Sequence, residues 1–331
     1  MSLTAPFPWF GGKSRVASIV WQRFGDVRNY VEPFFGSGAV LLGRPQPFEG
    51  VETVNDKDGF VANFWRAVQA APESVARFAD WPVNENDLHA RHVWLVERKE
   101  KLQARLEGDP DFYDARIAGF WVWGVSTWIG GGFCSGDGPW SSVDVDGVRQ
   151  LERTANPGHQ VMRRRPSTCI MGVHAIARNE TAISDGGIVG RLVGLCNRLR
   201  RVGVMCGDWS RLVTDASTVF HGVTAVFLDP PYSERADNKK LCYAKDNLTV
   251  ASDVLSWAIA NGRNPMLRIA LCGYDGNYSM PVDWQQYSWS AVGGYTKKGK
   301  APQNRHCERI WFSPHCLKPD DAQPMLWEDE A

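Results

Sequence analysis

The sequence has no long hydrophobic run: no window approaches the roughly 18 consecutive apolar residues that a membrane-spanning helix needs. Its opening residues, MSLTAPFPWFGGK, lack the basic-then-apolar pattern of a secretory leader. Both absences predict a protein made and kept in the cytoplasm, with no membrane partner. Net charge is also missing, because 37 Lys and Arg balance 37 Asp and Glu, so any attraction to nucleic acid has to be local. The 8 cysteines include no CxxC pair, which argues for reduced, buried thiols rather than a disulfide framework. His306-Cys307 and His315-Cys316 repeat one dipeptide but lack the close ligand pairs of a zinc site, and they are read as packing residues. A complete dinucleotide fingerprint is absent too. In EPFFGSGAV, Gly36 and Gly38 are followed by Leu41 where GxGxxG places its third glycine, which disfavours a nicotinamide cofactor.

What is present is a chain of 331 residues, long enough for one large α/β domain with an insertion. Ser14 is positioned to cap a helix running to about Phe24, and Tyr30 to Phe34 reads as a short strand ending in glycines. Val51 to Asp56 reads as a second strand, after which Asp58 caps an amphipathic helix carrying Phe60, Val61, Phe64 and Val68. Strand, loop and helix in that order, twice, predict a parallel sheet. From about Pro72 to Arg201 the pattern changes to helical stretches, Asp87 to Leu106, Phe112 to Trp128 and Ile188 to Arg201, around a glycine-rich, weakly periodic segment. Strands resume at Val202 to Asp208, Val223 to Asp229 and Met266 to Tyr274, with a helix at Val250 to Asn261 and a terminal hairpin between Trp284 and Phe312. The tail from Asp320 is acidic and poor in core residues.

The stretch AVFLDPPYSE carries the chemistry. Asp229 stands at the end of an apolar strand, where open α/β sheets place their ligands. Pro230 and Pro231 have no N–H, so the loop offers carbonyl and carboxylate acceptors without competing donors, and Tyr232 adds a ring face. Such a site suits a planar group bearing an NH2. Drawing on both amine hydrogens turns the nitrogen lone pair out of conjugation and makes it nucleophilic. Gly36 and Gly38 let backbone approach a ligand closely, and Asp56 sits at the next strand end, where a carboxylate commonly accepts from ribose hydroxyls. A glycine turn with a capping aspartate accounts for the same residues.

WFGGK (Trp9 to Lys13), EPFFGSG (Glu32 to Gly38), Asn55-Asp56 and LDPPY (Leu228 to Tyr232), in that order, resemble the Dam-type, alpha-class adenine-N6 DNA methyltransferases. The resemblance covers the N-terminal third and the segment from about Val202 to Pro314. It implies a Rossmann-like α/β open sheet, residues 1–72 and 202–319, with an inserted, mainly helical target-recognition region at 73–201 and a tail at 320–331. It implies methyl transfer from S-adenosylmethionine to the exocyclic amine of adenine, with S-adenosylhomocysteine as product and no metal. Trp9, Lys13, Phe35, Gly36, Gly38, Asp56, Asp208 and Asp229 are then cofactor-binding candidates, and Asp229, Pro230, Pro231 and Tyr232 hold the target adenine. Cytosine-N4 methylation and a catalytically silent DNA-binding module are the alternative readings.

An adenine inside a duplex cannot reach such a loop, so base flipping and a grip on double-stranded DNA are expected. From Gly147 to Arg211 there are eleven Arg against four Asp or Glu, an excess hidden by the neutral total. Arg163, Arg164 and Arg165 within it, and Lys297, Lys298 and Arg305 near the C-terminus, are the DNA-binding candidates. The protein is expected to act as a monomer in the cytoplasm of a bacterium or phage-infected host, with a cognate restriction enzyme as a candidate partner. The region GGGFCSGDGPWSS, Gly130 to Ser142, lacks the Phe-Asn-x-Pro-x-Gly pattern of the GATC-specific enzymes, so GATC specificity does not transfer. Trp121, Trp123 and Trp128, just before it, are read as core, with base stacking as the alternative.

Overall fold

The computed structural model describes residues 3–9, 11–128, 133–134, 140–145, 148–153, 187–231, 247–289 and 308–318. Strands β1 (Asn29–Glu32), β2 (Val51–Asp56), β5 (Val202–Cys206), β6 (Thr224–Leu228), β7 (Leu267–Tyr274), β8 (Gln285–Trp289) and β9 (Glu308–Phe312) form a seven-stranded sheet in the order β5-β2-β1-β6-β7-β9-β8. β1 pairs in parallel with both β2 and β6, and β6 with β7, whereas β9 runs antiparallel to β7 and to β8. The expected α/β open sheet with its terminal hairpin is thus present. All residues of β1 and β6 are buried, as expected for central strands with both faces covered. The strand order reverses at β1, so the loops leaving β1 and β6 flank a switch point, the usual ligand position in such sheets.

The chain divides into two compact units, residues 13–54 with 210–331, and residues 1–12 with 55–209. The first holds α1 (Ala17–Phe24), α2 (Ala39–Leu42), α9 (Asn247–Asn261), β1, most of β2, and β6 to β9. Here α1 begins later than expected and is not capped by Ser14. The Lys13 carbonyl accepts from the N–H groups of Val16 and Ala17, both at 3.0 Å, so a backbone turn rather than a side chain starts the helix. One face of α1 lies against the sheet: the Arg23 guanidinium hydrogen-bonds Gln285 of β8 and sits 4.9 Å from the Phe312 ring of β9.

The second unit contains α3 (Gly59–Ala70), α4 (Pro72–Ala79), α5 (Glu85–Val96), α6 (Lys99–Gly108), α7 (Ala115–Thr127), the hairpin β3 (Trp140–Val145) and β4 (Val148–Arg153), α8 (Gly187–Leu199) and β5. Asp58 caps α3 as expected, accepting from the Phe60 N–H at 2.9 Å, and Asp114 caps α7 through Ile117. Phe7 packs edge-on against Phe64 and Trp121, with ring centroids at 5.3 and 5.0 Å, and anchors the N-terminal segment in this core. Trp121, Trp123 and Trp128 are buried, which favours their reading as core.

Two features differ from the sequence reading. The predicted helix 87–106 is two helices, because the chain turns at Glu97 and Arg98, yet Leu88, Leu95 and Leu102 are all buried and keep the apolar repeat running through the break. The glycine-rich segment also contains the antiparallel hairpin β3-β4, so the inserted region is not wholly helical.

Candidate active site

Asp229 follows β6 directly, and the side chain it meets comes from the start of the chain. Lys13 Nζ lies 2.7 Å from Asp229 Oδ2, with the lysine side chain 4% exposed and the aspartate 21% exposed. The ammonium is therefore enclosed, and the carboxylate is the end of the pair that reaches solvent. Burial alone would lower the Lys13 pKa, but the negative charges around it, Asp229 foremost, outweigh burial and raise it above the ordinary lysine value. Lys13 remains a fixed cation across the accessible pH range. Pro230 is buried and Pro231 half-buried, and both continue from Asp229 without a backbone donor.

The β1 loop is built on a buried carboxyl. Glu32, 2% exposed, accepts from the Tyr30 hydroxyl at 2.7 Å and from the Leu41 backbone N–H. Burial pushes its pKa well above the usual carboxylate range, and the charge of Asp229 adds to the shift. These bonds tie the strand end to the loop that follows, in which Phe35 is buried. Gly36 and Gly38 have φ of 48° and 69°, left-handed values that a side chain resists, and Gly38 is the residue from which α2 starts. Both glycines are buried in this loop.

In the other unit the ends of β2 and β5 come together. The Asp56 carbonyl accepts from the Gly207 N–H at 3.3 Å, and Asn55 Nδ2 donates to the Gly207 carbonyl at 3.1 Å. Asp56 and Asp208 thus leave adjacent strand ends, with Asp208 exposed and Asp56 Oδ1 accepting from the Asp58 N–H at 2.9 Å. Trp9 is half-buried, its ring 5.7 Å from Phe7 and 6.3 Å from Trp121, and its carbonyl accepts from Gly12.

Tyr232, Arg163, Arg164, Arg165, Lys297, Lys298 and Arg305 lie outside the described residues. Two residues near Lys13 were not singled out from the sequence: Glu308, which acts on Lys13 and Asp229 through its charge, and Trp289, whose ring centroid is 5.7 Å from Lys13 Nζ. The available signal was a carboxylate opening the apolar strand ERIWF. Among the described residues, no group of three or more His, Cys, Asp or Glu is placed to hold a metal ion, and no helix is long and apolar enough to cross a membrane.

Residues 9–111 match the family described as D12 class N6 adenine-specific DNA methyltransferase. No curated protein matches the chain in sequence. The matched stretch holds the WFGGK, EPFFGSG and Asn55-Asp56 motifs, and the Lys13–Asp229 pair joins it physically to the LDPPY loop beyond its end. Over residues 9–111, about a third of the chain, the sequence is similar to the D12 class of N6 adenine-specific DNA methyltransferases.

Proposed function

We propose that the enzyme takes its methyl group from S-adenosylmethionine and acts on an adenine flipped out of the duplex, with Asp229 as the main acceptor for the N6 amine. The observation that carries this reading is the 2.7 Å Lys13–Asp229 pair at the end of β6, followed by two residues that cannot donate. The residues fit the donor's chemistry. Gly36 and Gly38 put no side chain between a ligand and the loop backbone, Asp56 is a strand-end carboxylate suited to ribose hydroxyls, and Asp229 is an anion suited to sit near a sulfonium. When bound, S-adenosylmethionine supplies an electrophilic methyl group.

The rest of the chemistry belongs to the chain. Lys13 fixes Asp229 so that the carboxylate accepts one N6 hydrogen, while the Pro230 carbonyl accepts the other. Both acceptors pull the nitrogen toward a tetrahedral, nucleophilic geometry in line with the methyl group. Tyr232 stacks on the adenine ring, and Phe35 backs the glycine loop. Trp9 and Asp208 border the cofactor's remaining surface. Residues 1–72 and 202–319 carry the reaction, and residues 73–201 select the DNA site, with Arg163, Arg164, Arg165, Lys297, Lys298 and Arg305 on phosphates. The enzyme acts as a monomer.

The test is incubation with unmethylated double-stranded DNA and methyl-labelled S-adenosylmethionine, followed by digestion to nucleosides. Label is expected in N6-methyladenosine only. Asp229→Ala is expected to lower the rate by at least about a thousandfold while binding DNA nearly as well as wild type. Wild-type activity in that variant would remove the assigned role, and label on cytosine would remove the adenine assignment.

A further inference from the structure

Glu308 opens β9 between Tyr274 of β7 and Trp289 of β8. Its side chain shares a sheet face with Ile310 and Phe312, both buried and apolar, and α1 covers that face. Glu308 is 3% exposed, and among the described residues its Oε2 is buried with no hydrogen-bond partner, as is Trp289 Nε1. A carboxylate here is a poor choice for packing, because an apolar residue would fill the site without an unsatisfied acceptor. What it contributes is charge: among the described residues, the charged groups that act on it are Lys13, before α1, and Asp229, after β6. From β7, Cys272 and Tyr274 project on the same face, while Tyr278 packs over Gly273 on the other. Burial holds the Glu308 carboxyl up to about 7, with Lys13 opposing the shift and Asp229 adding to it.

We infer that Glu308 is a positioning residue for methyl transfer: its charge draws on Lys13, so that Lys13 divides its charge between two carboxylates and Asp229 keeps its strength as acceptor for the adenine amine. This rests on the methyl-transfer role given to Asp229 above. The burial gradient supports the order of action, with Glu308 and Lys13 enclosed and Asp229 partly open. If Asp229 were the sole anion beside Lys13, the full ammonium charge would fall on it and weaken its hold on the amine hydrogens. When Glu308 takes up a proton, the site moves to that weaker state. The rate therefore falls with acidity as Glu308 titrates.

Single-turnover methylation at saturating S-adenosylmethionine and DNA, followed from about pH 5.5 to about pH 9, reads this directly. Wild type is expected to lose rate as pH falls through about 7 and to level off near the rate of Glu308→Gln. Glu308→Gln is expected to be slower by about tenfold or more at about pH 8, with KM for both substrates within about threefold, and to lack the acid limb. Glu308→Asp, which keeps the charge, is expected to retain the limb. A Glu308→Gln enzyme at the wild-type rate, or a slowed one with the limb unchanged, overturns the inference. So does a wild type with no limb in this range, which decides the matter even if Glu308→Gln fails to fold. Wild type that labels no DNA removes the methyl-transfer reading itself, whereas active wild type with an indifferent Glu308→Gln removes only the role of Glu308.

Discussion

At the residue scale, two buried titratable groups pull stability in opposite directions with pH. The Glu308 carboxyl is held at about 7 in the fold against an ordinary 4.5. The native state then binds more protons than the unfolded state between those values, so the associated stability is full below about 4.5 and is lost as pH rises through about 7. Converted at 1.36 kcal/mol per unit, the loss is on the order of 3–4 kcal/mol. Glu308→Gln should therefore be more stable than wild type at about pH 8 while being slower, and urea unfolding of both proteins across pH checks it. A residue that lowers stability where the enzyme works fits a role in catalysis rather than packing. His92 is the reverse case. It is fully buried and stacked on Trp128 at an interplanar 9°, and burial, with a smaller contribution from His89, lowers its pKa from 6.5 to about 4. Its stability is present above about 6.5 and lost as pH falls toward about 4, so His92→Phe should flatten the acid side of the unfolding curve.

At the element scale, the approach of α7 to α4 depends on one missing side chain. A Cβ on Gly119 of α7 would stand 2.4 Å from Phe78 Cβ and 2.7 Å from the Val75 carbonyl oxygen of α4. Gly119→Ala is expected to destabilise by about 1–3 kcal/mol, because the clash is with the neighbouring helix rather than a flexible side chain, and thermal unfolding measures it. Elements were legible where their signals are local. Asp58 caps α3 as read from the sequence, and Val51 to Asp56 was bounded to the residue. The break between α5 and α6 was not legible, because Leu88, Leu95 and Leu102 keep a seven-residue repeat through it and periodicity does not register a backbone turn that preserves the face. The β3-β4 hairpin was hidden for a related reason, since strands in a glycine-rich stretch carry little alternation.

At the scale of the whole molecule, ligand binding should couple to folding. S-adenosylmethionine at about 100 times its Kd is expected to add about 2.7 kcal/mol of stability, read as a rise in Tm. Asp56→Ala should reduce that rise at fixed ligand, whereas Asp229→Ala should act mainly on the transfer rate. DNA affinity is expected to fall steeply with salt, and replacing one of Lys297, Lys298 or Arg305 should lower the slope of log affinity against log salt by about 1.

The sequence by itself determined the chemistry available: an acceptor-only loop at Asp229, a glycine turn after Glu32, a strand-end carboxylate at Asp56, and a parallel sheet to hold them. These follow from residue type and short-range pattern, which the chain carries without reference to its fold. Only the tertiary structure decided that Lys13 meets Asp229, that Glu32 is buried, and that the Glu308 charge acts on Lys13. The physical reason is that these positions are set by strand order and by the packing of α1 across β7 to β9, contacts between distant segments that no local propensity encodes. Burial then completed what proximity began, raising the Glu308 pKa toward neutrality and making the electrostatics of the site a property of the fold.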